Sequence, residues 1–340
     1  GRGRRPGENM NIIVTGAGGF LGRNLANGLL SKGHKVRNFS RRNHLPLQAM
    51  GVETICGDLQ NASEVMAAFQ GIDAVFHVAS RVGIWGDYDE YYRTNVVGTG
   101  NVIKACRANG ITKLIYTSTP SVVFDGNDIL RADETKPYAL KFYNDYSRTK
   151  TLAEQKVLQA NDETLSTVAL RPHQIIGPDD PHLVPRLVNA AKRGRLKIVG
   201  TGKNLVDVTY IQNAVEAHLL AFEKLSPQSS VAGQAYFIGQ ERPVVLWDFI
   251  NKILTRYNLS PITKRVPEKV ALNMGALFEA WYRFFKINGE PPMTRFVALQ
   301  FSRSHYFSHE KAKNDFGYVP KISIEQALDL TTERGMNAFK

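Results

Sequence analysis

"NIIVTGAGGFLGRNLANGLLSKG" occupies residues 11–33 and reads as a strand, a turn and a helix. Gly16, Gly19 and Gly22 are spaced G-x-x-G-x-x-G, with an extra Gly18. The spacing alone says little. Here it directly follows an apolar β-branched run and opens an amphipathic helix. In that setting glycines let the backbone approach a pyrophosphate, and the helix N-terminus favours its negative charge. A tight turn with no ligand is the alternative.

Further along, short β-branched runs alternate with helical stretches. The strand-like runs are "KVRNFS" (35–40), "VETICG" (52–57), "DAVFHVA" (73–79), "KLIYTS" (113–118) and "STVALRP" (166–172). Strands apolar on both faces, separated by helices, imply a parallel sheet covered on both sides. The expected fold is α/β: a doubly wound parallel Rossmann sheet over residues 10–175, with a smaller α/β substrate lobe over 176–340 interleaved with it. Residues 1–9, "GRGRRPGEN", are basic and lack the apolar stretch of a secretory signal. They read as a disordered extension or a tag remnant.

The 340 residues include 43% apolar ones, enough for a sizeable core. The two cysteines have no metal-ligand spacing, and no His/Cys/Asp/Glu pattern suggests a metal. A reducing cytoplasm is the expected location. The net charge of +12 is spread out apart from "GRGRR" and "KRGRLK" and comes without a nucleic-acid motif. It therefore suits an anionic small ligand better than nucleic acid. No run of apolar residues is long enough to span a bilayer.

The end of the second strand bears on cofactor choice. NAD-selective sites place a carboxylate there for the ribose 2′-hydroxyl. This chain has Ser40, Arg41 and Arg42, which favour the 2′-phosphate of NADP(H). "GDL" (57–59) places Asp58 to meet the adenine amine.

"YNDYSRTK" (143–150) sets Tyr146 and Lys150 four apart. On a helix the two share a face. A lysine cation beside a phenol stabilises the phenolate, which makes the tyrosine usable as a proton donor. The glycine turn, "GDL", "HVAS", "NVVGT", "YTSTPSV" and Y-x-x-x-K, in this order, resemble the extended short-chain dehydrogenase/reductase superfamily from about residue 10 onward. The resemblance implies that Tyr146, Lys150 and a strand-five hydroxyl are catalytic. That hydroxyl carries over to Thr119, with Ser118 and Ser121 as alternatives. It also implies cofactor contacts from Gly16, Gly19, Phe20, Leu21 and Gly22, from Ser40, Arg41 and Arg42, from Asp58 and Leu59, and from Ala79 and Pro172, besides Tyr146 and Lys150. Asn95 would support the active-site helix. Members pair through two helices, here those near 89–109 and around Tyr146, so a homodimer is expected.

Within the superfamily, "YTSTPSVVF" and residues 138–146 are similar to the 3β-hydroxysteroid and sterol-4-carboxylate dehydrogenase branch. Segments such as "GIWGDYDEYYRTNVVGT" and "GEPPMTRFVALQFSRSHYFS" resemble the bacterial 2-alkyl-3-oxoalkanoate reductases of long-chain olefin biosynthesis. That resemblance implies NADPH-dependent reduction of the 3-keto group of a long-chain β-keto acid. It also implies association with the other olefin-pathway enzymes. Trp85, Ser121, His173 and Trp281 are the candidate substrate residues. Trp281 lies in "VALNMGALFEAWYRFFKING" (270–289), a strongly apolar segment. It could shape a pocket for alkyl arms, be core, or rest on a membrane surface or partner enzyme. A steroid-type dehydrogenase, a non-enzymatic nucleotide-binding regulator and a sugar-nucleotide epimerase are the competing readings.

Overall fold

A computed structural model describes residues 9–337, with side chains described through residue 333. Of the expected N-terminal extension, residues 1–8 lie outside the described residues.

Seven strands form one parallel sheet: β1 (Asn11–Thr15), β2 (Lys35–Ser40), β3 (Glu53–Cys56), β4 (Ala74–His77), β5 (Lys113–Thr117), β6 (Ser166–Pro172) and β7 (Gln234–Ile238). Their order is β7-β6-β5-β4-β1-β2-β3. The order reverses between β1 and β4, and the crevice beyond their carboxyl ends is where doubly wound folds take their ligands. Along β1, Ile12 and Val14 enter one core and Ile13 the other. This is the period-two alternation of a strand covered on both faces.

Helix α1 (Phe20–Ser31) packs on one face of the sheet; α2 (Gly98–Ala108) and α3 (Asp145–Gln159) pack on the other. Beside α1 lies α4 (Ile211–Lys224). Gly28 lets the two helices close up, since a Cβ there would meet Val215 at 3.0 Å. Between them these elements correct the boundary at residue 175. β7 pairs with β6 from Val168 to Pro172, and α4 covers the sheet, so both belong to the nucleotide-binding half. Conversely Ile129–Ala132, from before the boundary, joins Leu205–Val206, Val244–Val245 and His305–Phe307 in the lobe's four-stranded sheet. Phe237 of β7 packs with Val122, Phe124 and Phe307, so the lobe shares a core with the sheet.

The apolar segment at 270–289 forms α5 (Glu268–Phe284), which packs on α6 (Arg295–Ser302). The reading of this segment as core is wrong. Only Ala271, Gly275 and Glu279 of α5 are buried, and its large side chains stay accessible. The periodic placement of small residues on the packed face decides this, not the segment's mean hydropathy.

Candidate active site

The glycine turn is built as a backbone cradle. Gly16 has φ +73°, and a Cβ on it would lie 2.9 Å from Ala79 at the end of β4. A Cβ on Gly22 would lie 2.3 Å from the Gly16 carbonyl oxygen, so only glycine lets α1 start this close to β1. Gly19 is the N-cap of α1 without a side-chain acceptor, and the first turn has no acidic residue. The first amides of α1, with Phe20, Leu21 and Gly22, are therefore left for an anion such as a dinucleotide pyrophosphate. These features fit the cofactor that the sequence implies.

A residue that sequence reasoning passed over holds this turn. Buried Asn38, in the middle of β2, accepts from the Ala17 amide at 3.0 Å and donates to Ser40 Oγ at 2.9 Å. Ser40 Oγ in turn donates to the Arg42 carbonyl at 2.8 Å. The glycine turn and the arginine turn are thus one hydrogen-bonded unit. Its signal in the sequence was a lone amide inside an apolar strand. Arg41 and Arg42 are exposed and make no ion pair among the described residues. Asp58 accepts from the Gln60 amide at 2.9 Å, and buried Leu59 accepts at its carbonyl from Asn101 at 2.8 Å.

A directed chain fixes the switch point. The Val78 and Ala79 amides donate to Thr15 Oγ1 at 3.1 and 3.2 Å. Thr15 lies 2.7 Å from His77 Nδ1, and His77 Nε2 lies 2.9 Å from Thr99 Oγ1. Thr99 donates to the Asn95 carbonyl at 2.6 Å, so its oxygen accepts from His77 Nε2 and the tautomer is set. Burial, reinforced by Lys150, pushes the His77 pKa down to about 3 and keeps the ring neutral.

At the centre, Tyr146 and Lys150 stand one turn apart in the first half of α3, which Asn144 caps through the Ser147 amide. Burial pushes the Tyr146 phenol up to about 12, opposed by a hydrogen bond with Thr119 and helped by nearby Tyr91. It is therefore a neutral acid. Burial pulls Lys150 down to about 7, opposed by Glu154. Its ammonium donates to the Thr117 carbonyl at 2.6 Å and sits 4.2 Å from the centre of the Tyr116 ring. Thr119 Oγ1 accepts from the Ser121 amide at 3.2 Å and lies 3.1 Å from Ser121 Oγ.

Among the three hydroxyls, Ser118 is placed elsewhere. It donates to Glu154 beneath α3. Glu154 is fully buried, accepts from Tyr138 at 2.7 Å, and pairs with the equally buried Arg171 through Nε (3.0 Å) and a terminal nitrogen (2.5 Å). Arg171 thus ties β6 to α3 through its side chain, while Pro172 ends β6 beside Ile238. Asn95 supports α3 as expected, donating to Thr149 Oγ1 at 3.1 Å. It also accepts from the Arg81 amide and donates to its carbonyl. Asn95 lies in a π-helical turn, Arg93–Val97, a device that re-aims one side chain and recurs at functional sites.

The histidines near the site take up structural bonds. His218 receives from Thr117 at 2.9 Å while its other nitrogen donates to the Ala214 carbonyl. His173 contacts His305 at 2.6 Å, and His305 Nε2 donates to the Gln300 carbonyl, so His173 is the donor of the pair. Burial lowers both pKa values, and each ring stays neutral. Trp85 lies in the loop next to Asn95's partner Arg81, and the Arg283 guanidinium stacks 5.1 Å from its ring. Trp281 instead pairs with Phe285 on the exposed side of α5, ring centres 4.5 Å apart.

The chain is similar to known proteins in sequence and in fold. A model of the 3-beta hydroxysteroid dehydrogenase/isomerase family matches residues 13–266. The chain is 49% identical over 322 residues to a 2-alkyl-3-oxoalkanoate reductase of Stenotrophomonas maltophilia, covering 94% of this chain and 97% of the relative. It is 38% identical to a mouse sterol-4-alpha-carboxylate 3-dehydrogenase (decarboxylating), over 94% and 89% of the two chains. In fold it is similar to the UDP-glucuronic acid 4-epimerase of Bacillus cereus solved with NAD: TM-score 0.73, 22% identity, 97% of this chain and 100% of that one.

Proposed function

Because this chain belongs to the 3-beta hydroxysteroid dehydrogenase/isomerase family and is an oxidoreductase, we propose that it reduces the 3-keto group of a long-chain 2-alkyl-3-oxoalkanoate with NADPH. The product is the 2-alkyl-3-hydroxyalkanoate, a step in long-chain olefin biosynthesis. The observation that carries the reading is a neutral Tyr146 phenol beside Lys150 and Thr119, in a chain half identical to reductases of that name over 94% of its length.

A bound reduced nicotinamide supplies the hydride. The residues supply the rest. The Thr119 hydroxyl, held by the Ser121 amide, donates to the substrate carbonyl oxygen and polarises it. Tyr146 gives its phenolic proton to that oxygen as it becomes an alkoxide. Lys150, one turn away, donates to the Thr117 carbonyl; it stabilises the phenolate and would hold the nicotinamide ribose. The first amides of α1 would hold the pyrophosphate, Asp58 the adenine, and Arg41 and Arg42 the 2′-phosphate. Trp85 and Ser121 border the substrate. The enzyme works as a homodimer through α2 and α3 and acts in the cytoplasm beside the other enzymes of its pathway.

The test offers the protein two substrate classes with NADPH or NADH: a racemic 2-alkyl-3-oxo acid, and a sterol-4-carboxylic acid for oxidation with the corresponding oxidised cofactors. Loss of nicotinamide absorbance with the keto acid, faster with NADPH, supports the reading. Turnover of the sterol acid alone would assign the chain to the steroid side of its family. Turnover of neither would reject both.

A further inference from the structure

The turn that carries Thr119 sets two hydroxyls side by side. Thr119 follows β5 closely and caps a 3₁₀ turn, Pro120–Val123, by accepting from the Ser121 amide at 3.2 Å. Backbone bonds close the turn. The Val122 amide donates to the Thr119 carbonyl at 3.3 Å, and the Phe124 amide to the Ser121 carbonyl at 3.2 Å. Pro120 fixes the backbone at the start of the turn and is buried, as are Val122 and Val123. Of residues 119–124 only Thr119 and Ser121 are half-buried; the rest are buried. Thr119 Oγ1 and Ser121 Oγ are thereby held 3.1 Å apart. The Ser121 hydroxyl has no part in the cap, which uses its amide, and among the described residues it bonds only Thr119.

Both hydroxyls can donate outward. Thr119 Oγ1 already accepts from an amide, so its proton is left for a ligand. A hydroxyl proton rotates without moving its oxygen, so Ser121 can turn its own from Thr119 to a ligand too. Two donors at this spacing fit two acceptors about as far apart. The 3-keto oxygen and a carboxylate oxygen of a β-keto acid are such a pair. In the protonated acid they can close an internal O–H···O hydrogen bond, which puts them about 2.5–3.0 Å apart. A plain ketone offers one of these acceptors. An ester offers both, but the second is neutral and accepts more weakly than a carboxylate. Glu154, bonded to the neighbouring Ser118, is paired with Arg171 and so sets no free negative charge against the substrate's own.

We propose that Ser121 reads the substrate carboxylate: its hydroxyl donates to the carboxylate on the carbon beside the ketone, while Thr119 donates to the ketone oxygen. The proposal deepens the keto-acid reading of this site and rests on it. The two hydroxyls differ in when they act. The ketone oxygen gains negative charge as the hydride arrives, so Thr119 contributes in the transition state. The carboxylate carries the same charge before and after. Ser121 therefore binds ground state and transition state alike, and its loss falls on KM.

The test compares a 2-alkyl-3-oxo acid with its methyl ester, each reduced with NADPH, in the parent chain and in S121A, S121T and T119V. The parent should prefer the acid. S121A should raise KM for the acid about ten-fold or more with little change in kcat, and so remove most of the preference over the ester. S121T restores a hydroxyl and should restore the preference. T119V should instead lower kcat for acid and ester alike. S121A should melt with the parent, because the cap uses the amide. A parent that takes acid and ester equally well, or an acid-to-ester ratio unchanged in S121A, overturns the proposal and leaves the keto-acid reading standing. So does an equal loss on both substrates, which would make Ser121 a prop for Thr119. A parent that reduces neither compound would bring down that reading, and the carboxylate contact with it.

Discussion

Arg41 and Arg42 carry the selectivity claim at the scale of single residues. Both are exposed and make no ion pair among the described residues, at the end of a strand where a carboxylate would select NAD. Charge-assisted hydrogen bonds are worth about 1.5–3 kcal/mol. Replacing both arginines with alanine should weaken NADPH binding by about ten-fold or more and leave NADH nearly unchanged, as read by titration calorimetry. An equal loss for both cofactors would place the arginines elsewhere. Lys150 yields a pH prediction. Burial sets its folded pKa near 7, well below the ordinary 10.5, and its role requires the cation. The value of kcat/KM for the cofactor, which reports the free enzyme, should therefore fall as pH rises through about 7. Stability moves the other way. Between about 7 and 10.5 the unfolded chain holds the extra proton, so the ligand-free fold gains stability as pH rises, and Lys150→Met should flatten that slope in denaturant titrations. At this scale the candidate residues were legible as a group, because the Tyr146/Lys150 spacing and the glycine turn are local patterns, and the structure brings Tyr146, Lys150 and Thr119 together. Asn38 and Glu154 were not: each works through a partner distant in sequence, and neither residue type announces a buried role.

Helix α3 is positioned by two devices that one-dimensional patterns cannot show. From one side the π-helical turn aims Asn95 at Thr149. From below, Glu154 gathers Ser118, Tyr138 and Arg171. A buried ion pair contributes little net stability when complete but is costly to break, because the remaining charge stays desolvated. Glu154→Ala should lower stability by about 3–5 kcal/mol, and Glu154→Leu combined with Arg171→Met should recover most of it, read from urea midpoints at unchanged slope. A double variant as unstable as the single one would mean that the network's hydrogen bonds, not its charges, hold β6 to α3. Strand bounds were largely legible: β1, β2 and β6 fall where the β-branched runs place them. The apolar segment at 270–289 left pocket, core and surface contact open, because density of large residues says nothing about which face is packed. Ala271, Gly275 and Glu279 settle that, and small residues give a weak signal in sequence.

At the scale of the whole molecule, the order of the sheet makes the site: β1 and β4 part at the crevice, and the lobe's own sheet takes a strand from residues 129–132. That exchange was hidden because strand partners far apart in sequence leave no local mark. Pairing through α2 and α3 predicts a sedimentation mass near twice the 37.9 kDa of one chain at micromolar concentration, and a single-chain mass would contradict it. Everything converges on one proton. Single-turnover reduction of a 2-alkyl-3-oxo acid by NADPH, comparing Tyr146→Phe with the parent chain, tests it most directly. The substitution keeps the ring and removes only the acid. The account predicts unchanged NADPH affinity with hydride transfer slowed by about 10²–10⁴-fold; a rate within about three-fold of the parent would show that Tyr146 is not the donor.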